Sequence, residues 1–197
     1  MLDSRILNNF ETLYNAALEA SGSDATAMIL ATAGADGRPR SRVVLLKHFD
    51  AKGFCFYTNY ESAKGREIAA NPAVSLCIHW QGLGSGGGTQ VRIDGYAERL
   101  SAEVSDVYFA TRPRGSQIGA WASLQSQTLD SRATFEARYA QYEREFAGRE
   151  VPRPPHWGGY RVTPDRVEFW YGADYRLHER ECWERTENGW QSRLLYP

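Results

Sequence analysis

Lysine is scarce in this chain: of 23 basic residues only Lys47, Lys52 and Lys64 are lysines. The formal net charge is −1, so there is no general pull toward nucleic acid or an anionic membrane, and any bound anion must be held by a local cluster. The arginine excess permits such clusters, because a guanidinium offers a rigid fork suited to phosphate and carboxylate; a biased base composition would produce the same excess. Cysteine is sparse too. Cys55, Cys77 and Cys182 are odd in number and widely spaced, with no C-x-x-C pair, which argues against a disulfide framework and a zinc site. Cys55 and Cys77 lie in apolar runs and read as small buried hydrophobes. No apolar stretch approaches the roughly 20 residues that span a bilayer, and no basic segment followed by a long apolar run opens the chain. A cytoplasmic location without membrane or nucleic-acid partners is the expectation. No G-x-G-x-x-G follows a predicted strand, which disfavours a dinucleotide-binding Rossmann fold.

What is present fits a folded domain. The chain has 197 residues, 42% of them hydrophobic and 13% aromatic, enough to bury a core in a single domain spanning 1–197. Asp3 or Ser4 can cap a first helix, about 3–21, with Ile6, Leu7, Phe10, Leu13, Tyr14, Ala17 and Leu18 as its apolar stripe and Gly22 and Ser23 as its end. Strands are predicted at 27–33, 41–48 and 54–58, joined by tight turns. Ser62 can cap a short helix ending at Ala70, before Asn71 and Pro72. Further strands are predicted at 73–80 and 89–100, with the glycine-rich segment 84–88 as the tip between them. Helices follow at 101–109, 116–123 and about 130–146, forming a helical insertion of about 101–147. After a stiff connector at 151–155, strands are predicted at 160–162, 166–171, 176–185 and 190–195. Many short strands with turn-sized gaps and peripheral helices make a mainly β fold, a small closed or split barrel.

Three groups of residues carry candidate chemistry. In Arg42-Val43-Val44-Leu45-Leu46-Lys47 cations bracket an apolar run, which suits a backbone lying along a flat ring while its ends reach anions; a buried strand with ordinary charged ends fits as well. A continuous strand through Arg176, His178 and Arg180 would set all three on one face, where like charges repel unless an anion or solvent separates them; a solvated edge explains this equally. Glu168-Phe169-Trp170 adds an aromatic wall. Tyr108, Arg112 and Ser116 are four apart, and Pro113 at the start of a new helix would aim free N–H groups near Arg112 and Ser116, either as a phosphate site or as a capped corner between helices.

Together with Phe56-Tyr57-Thr58-Asn59, the run from Arg112 to Trp121, Gln125-Ser126, Trp157-Gly158-Gly159 and Arg176-Leu177-His178, these segments closely resemble the pyridoxamine 5′-phosphate oxidase family, in the same order and at similar spacing from about Ala25 to the C-terminus. The resemblance implies an FMN-binding split β-barrel and a homodimer with FMN at interface sites built from both subunits. It implies FMN contacts from Arg42, Val43, Val44, Leu45, Leu46, Lys47, Tyr57, Thr58, Lys64 and Gln90, with Gln125, Ser126, Trp170 and Arg180 supplied by the partner chain. It implies that Lys47, Tyr108, Arg112 and Ser116 hold a substrate phosphate, while Arg176, Leu177 and His178 lie against the substrate ring, with Arg176 and His178 as the catalytic pair. The activity so implied is hydride transfer from a small phosphorylated amine or alcohol to FMN, with dioxygen as electron acceptor and hydrogen peroxide as product. The sequence departs from the family at Ala63, where an arginine often stands, at Thr89, where an arginine is usual, at Leu194 in the C-terminal tail, and in a short segment before the first helix.

Overall fold

The computed structural model describes residues 1–20, 24–84 and 87–197. The expected end of the first helix at Gly22 and Ser23 lies outside the described residues, as do Ser85 and Gly86 of the glycine-rich tip.

Helix α1 (Ser4–Glu19) begins where Asp3, in extended backbone, accepts the Arg5 N–H with its side chain. The apolar stripe turns inward: Ile6, Phe10 and Ala17 are buried, and Phe10 packs edge-on against Phe54 and Phe49 at 4.8 and 4.9 Å between ring centres. Strands β1 (Ala27–Ala33), β2 (Pro39–Leu45), β3 (His48–Asp50) and β4 (Gly53–Asn59) follow. The predicted strand over 41–48 is therefore two strands with a break at Leu46 and Lys47. The break has a physical cause: the Leu46 N–H donates to Thr26 and the Lys47 N–H to Cys55, so the chain leaves one neighbour for another.

Helix α2 (Ala63–Ala70) is capped by Ser62, whose hydroxyl accepts the Gly65 N–H. Strands β5 (Ala73–Trp80) and β6 (Thr89–Arg99) come next, then helices α3 (Ala102–Ala110), α4 (Arg114–Ala122) and α5 (Arg132–Glu145), and strands β7 (Trp157–Tyr171), β8 (Glu179–Thr186) and β9 (Gly189–Leu195).

Among the described residues the nine strands form one sheet, in the order β2-β1-β5-β6-β7-β4-β3, with β8 on β7 and β9 on β8. All pairings are antiparallel. The sheet curls around a core that includes Leu30, Phe54, Phe56, Leu76, Ile78, Val91, Ile93, Val162, Val167 and Phe169, and α1 packs against it. This is the mainly β, split-barrel architecture with peripheral helices expected from the sequence. A second apolar cluster (Phe109, Ile118, Phe146, Val151 and Trp157) fastens the helical segment to the start of β7.

The predicted strands 160–162 and 166–171 are one strand. Thr163-Pro164-Asp165 reads as a turn, but β7 passes through it by a bulge: Asp94 pairs with Arg166 while the next residue, Gly95, pairs with Pro164, leaving Asp165 unmatched. Proline can sit here because a bulge relieves it of a ladder hydrogen bond. Gly95 is required by the close approach: a Cβ there would lie 2.2 Å from the Thr163 carbonyl oxygen.

The predicted strand 176–185 is also corrected. Asp174–Arg176 form a single 3-10 turn, and the strand begins only at Glu179. Tyr175 and Arg176 take left-handed backbone, with φ of 56° and 63°, so the alternation that would have aligned Arg176, His178 and Arg180 does not hold over this stretch.

Candidate functional site

A cavity of about 660 Å³ opens beside β2, β4 and the α3–α4 corner. It collects residues far apart in sequence: Val43, Val44 and Leu45 of β2, Lys47 just after it, Tyr57 and Thr58 of β4, Lys64 of α2, and Tyr108, Arg112 and Ser116 with Gln125. Asn59, Thr111, Pro113, Gly119, Ala120, Ser123 and Trp157 complete the lining; none of them was among the residues expected to contact cofactor or substrate.

The aromatic wall is built by close stacking. Tyr57 lies on Tyr108 at 3.9 Å between ring centres and 18° between planes, and on Trp157 at 5.5 Å and 13°. Gly159 permits this, since a Cβ there would stand 2.8 Å from the Tyr57 ring. Burial pushes the phenol of Tyr57 up, and that of Tyr108 likewise, so both stay neutral O–H donors near neutral pH.

The cations of the cavity are short of carboxylate partners. Arg112 occupies the break between α3 and α4, enforced because a residue before proline avoids helical backbone. Pro113 is the N-cap of α4 and carries no side-chain cap, one residue before the helical start expected of it. The Arg112 guanidinium carbon sits 4.6 Å from the centre of the Trp157 ring, and its buried Nη1 has no hydrogen-bond partner. Burial draws the Arg112 guanidinium below its ordinary value. Burial also pulls the Lys64 ammonium down, and the Arg42 charge adds to this. The Lys64 ammonium donates to Gln125 Oε1 at 3.1 Å, and the Thr58 hydroxyl donates to the same oxygen at 3.3 Å. Gln125 is thus a neighbour of Lys64 within one chain, whereas the resemblance implies that it is supplied to the flavin by a partner chain. Ser126 beside it is exposed, with φ of 71°.

Arg42 and Leu46 do not line the cavity. Leu46 is core. Arg42 donates to Glu67 at 2.9 Å and also to Thr32. Burial would raise the Glu67 carboxyl, but hydrogen bonds from Thr32 and Arg42 and the nearby Arg42 and Arg40 charges hold it below the usual carboxylate range.

The remaining candidates form a second group. Gln90 pairs with Trp170 across β6 and β7. Trp170 meets His178 at 4.5 Å between ring centres. The Ala173 N–H donates to His178 Nδ1 at 3.1 Å, so in the neutral ring the proton sits on Nε2. Arg180 donates through Nε to Glu168 at 2.9 Å and through Nη1 to the Tyr196 carbonyl at 3.0 Å. Glu168, 2% exposed, also accepts from Arg166 at 2.8 Å. Arg176 and Leu177 are exposed on the left-handed corner.

Unpaired cations, an orphaned buried N–H and a flat aromatic wall fit a ligand that carries phosphate and a planar ring, as a flavin nucleotide and a small phosphorylated ring compound both do. Residues 14–146 match the family described as pyridoxamine 5′-phosphate oxidase, and residues 157–197 match the pyridoxine 5′-phosphate oxidase C-terminal dimerisation region. The chain belongs to the pyridoxamine 5′-phosphate oxidase family. This is a family of FMN-dependent oxidases.

The chain is 54% identical over 197 residues to a pyridoxine/pyridoxamine 5′-phosphate oxidase of Xanthomonas oryzae, covering 100% of this chain and 98% of that one. It is 52% identical over 191 residues to one of Myxococcus xanthus, covering 97% and 91%. Among solved structures it is similar to PhzG from Burkholderia lata, crystallised with tetrahydrophenazine-1-carboxylic acid, at TM-score 0.90 and 32% identity, covering 97% and 92%. An FMN-binding protein from Nostoc punctiforme related to pyridoxamine 5′-phosphate oxidase shares the fold at TM-score 0.75 and 16% identity, covering 96% of each chain. Trp170, Arg176, His178 and Arg180 all fall within the segment that matches the oxidase family's dimerisation region.

Two carboxylates that organise these groups, Glu67 and Glu168, went unrecognised as such in the sequence. Glu168 was read as part of an aromatic segment. A carboxylate between apolar residues in a strand is the available signal, because a charge there must be paired.

Proposed function

We propose that this chain binds FMN and oxidises pyridoxamine 5′-phosphate or pyridoxine 5′-phosphate to pyridoxal 5′-phosphate. Dioxygen is the final electron acceptor and hydrogen peroxide the product; with the amine, water then releases ammonia. The observation that carries this reading is the cavity in which Lys47, Lys64 and Arg112 face an aromatic wall, with no ion pair to Asp or Glu among the described residues.

FMN bound there supplies a two-electron acceptor. Lys64, Thr58 and Gln125 are placed to bind its polar groups and β2 to lie along its ring. Lys47, Tyr108, Arg112 and Ser116 grip the substrate phosphate, and such anchoring can supply on the order of 7 kcal/mol of barrier reduction by fixing orientation. Arg176 and His178 then come from a second copy of the chain, completing the site at a homodimer interface. Arg176 orients the substrate ring and stabilises developing negative charge.

The test is an absorbance spectrum of the purified protein before and after anaerobic addition of pyridoxamine 5′-phosphate. A flavin band that bleaches supports the reading, and a band that does not bleach with either phosphate ester overturns it. The similarity to PhzG favours one second reading, in which the same cavity takes an unphosphorylated polycyclic acid. A peroxide assay comparing pyridoxine phosphate, pyridoxamine phosphate and their unphosphorylated analogues separates the two.

A further inference from the structure

We propose that Trp157 is a positioning residue for a phosphate monoester, acting through Arg112: its indole face holds the guanidinium where a carboxylate would hold it in an ordinary ion pair, without cancelling its charge. The proposal rests on the reading that Arg112 meets the substrate phosphate.

Several arginines elsewhere in this molecule are steered by carboxylates, although Arg99 too lies over an aromatic ring, that of Tyr60. Arg42 is held by Glu67 and Arg180 by Glu168, at 2.9 and 2.8 Å. Each such carboxylate offsets the positive field that would attract an anion. Arg112 has no carboxylate within ion-pair distance among the described residues. Its guanidinium carbon instead lies 4.6 Å from the centre of the Trp157 ring and 5.5 Å from that of Phe109. An aromatic face attracts a cation through its quadrupole, so it can hold the group and leave the net charge intact. The Nη1 of Arg112 is buried and unpartnered, a donor whose desolvation is offset only when an acceptor arrives.

Trp157 is itself fixed, as a positioning residue must be. It is 7% exposed and lies within 6° of parallel to Tyr108. Phe109 abuts it edge-on at 5.1 Å. Its backbone pairs with Asn59 in the sheet, and its carbonyl accepts from Arg153 at 2.7 Å. The ring therefore transfers the rigidity of the barrel to a guanidinium at the cavity wall.

The experiment compares the FMN-loaded protein with its W157L and W157F variants. Binding of inorganic phosphate is measured by calorimetry, and KM and kcat are measured with pyridoxamine phosphate and with unphosphorylated pyridoxamine. W157L is expected to weaken phosphate binding about tenfold and raise KM for the phosphorylated substrate alike, with W157F losing only about threefold. The unphosphorylated substrate should lose clearly less than the phosphorylated one, the excess loss appearing in KM rather than in kcat. In an R112Q background, W157L should add nothing to the loss. Unchanged phosphate binding in both variants, equal losses with both substrates, or full additivity with R112Q would overturn the proposal. Should W157L fail to fold, unchanged phosphate binding in W157F is the overturning result. If the wild type binds phosphate but does not oxidise pyridoxamine phosphate, the functional reading fails while the calorimetric comparison still decides the role of Trp157.

Discussion

Two groups of arginines in this molecule sit under opposite electrostatic rules. On the face of β6, β7 and β8, Arg92, Arg166 and Arg180 gather around Glu168, and Arg166 also meets Asp94 at 3.0 Å. Their charges are balanced within the fold. In the cavity, Arg112 and Lys64 are half-buried and rest against aromatic rings or an amide oxygen. Burying a charge without a partner costs stability, and a site that holds such charges is prepared to be completed by an anion. The first group stabilises the folded chain; under the proposed function, the second trades stability for binding.

The contrast is open to direct attack. Its sharpest test is Glu168→Ala, which leaves three arginines around an emptied position. Loss of one partner from a buried pair should lower unfolding free energy by about 3 kcal/mol, read from urea denaturation. If the midpoint does not move, the balance on that face is not structural. Next, Arg112→Gln should leave the urea midpoint unchanged or raised. It should also raise KM for the phosphorylated substrate about 30-fold, the scale of a charge-assisted hydrogen bond. A variant that unfolds more easily would show that Arg112 belongs with the first group.

A smaller effect follows from Lys64. Its pKa is depressed by burial and by Arg42, so as pH rises it loses its charge before an ordinary lysine would. Flavin affinity, followed by fluorescence quenching, should fall over that alkaline range, and Lys64→Arg should flatten the profile. The same decline in the arginine variant would assign it elsewhere. At the low end, Glu184→Gln removes a carboxylate that pairs with Arg193 and Arg166 at the solvent edge. It should leave the urea midpoint within error, because exposed pairs contribute little.

Much of the barrel could be read in advance, because its strands alternate apolar and polar residues and its turns are marked by glycine, proline and aspartate. Ser62 and Ser101 cap helices as their positions indicated. The failures share a cause: local signals were overridden by contacts remote in sequence. Thr163-Pro164-Asp165 has the composition of a turn, yet pairing with β6 carries the strand through it. The stretch from Arg176 to His178 alternates like a strand, yet the left-handed corner at Tyr175 and Arg176 interrupts it. For the site, the residue types were legible and their grouping was not. Val43, Lys47, Tyr57, Lys64, Tyr108, Arg112 and Ser116 converge on one cavity. Trp157 was visible only as part of a Trp-Gly-Gly segment, since nothing in one dimension shows that its ring will face a guanidinium 45 residues away in sequence, the separation of Arg112 and Trp157.

The unmatched residue at Asp165 also resets the phase of β7. Before it, even-numbered Tyr160 and Val162 enter the core; after it, odd-numbered Val167 and Phe169 do. An uninterrupted strand would place Trp157 and Phe169 on one side and turn Glu168 and Trp170 to the other. With the extra residue, the tryptophan beneath Arg112 and the glutamate that clamps Arg180 both emerge outside the barrel. A single inserted position thus lets one continuous ribbon furnish both a wall of the cavity and the carboxylate that gathers Arg166 and Arg180.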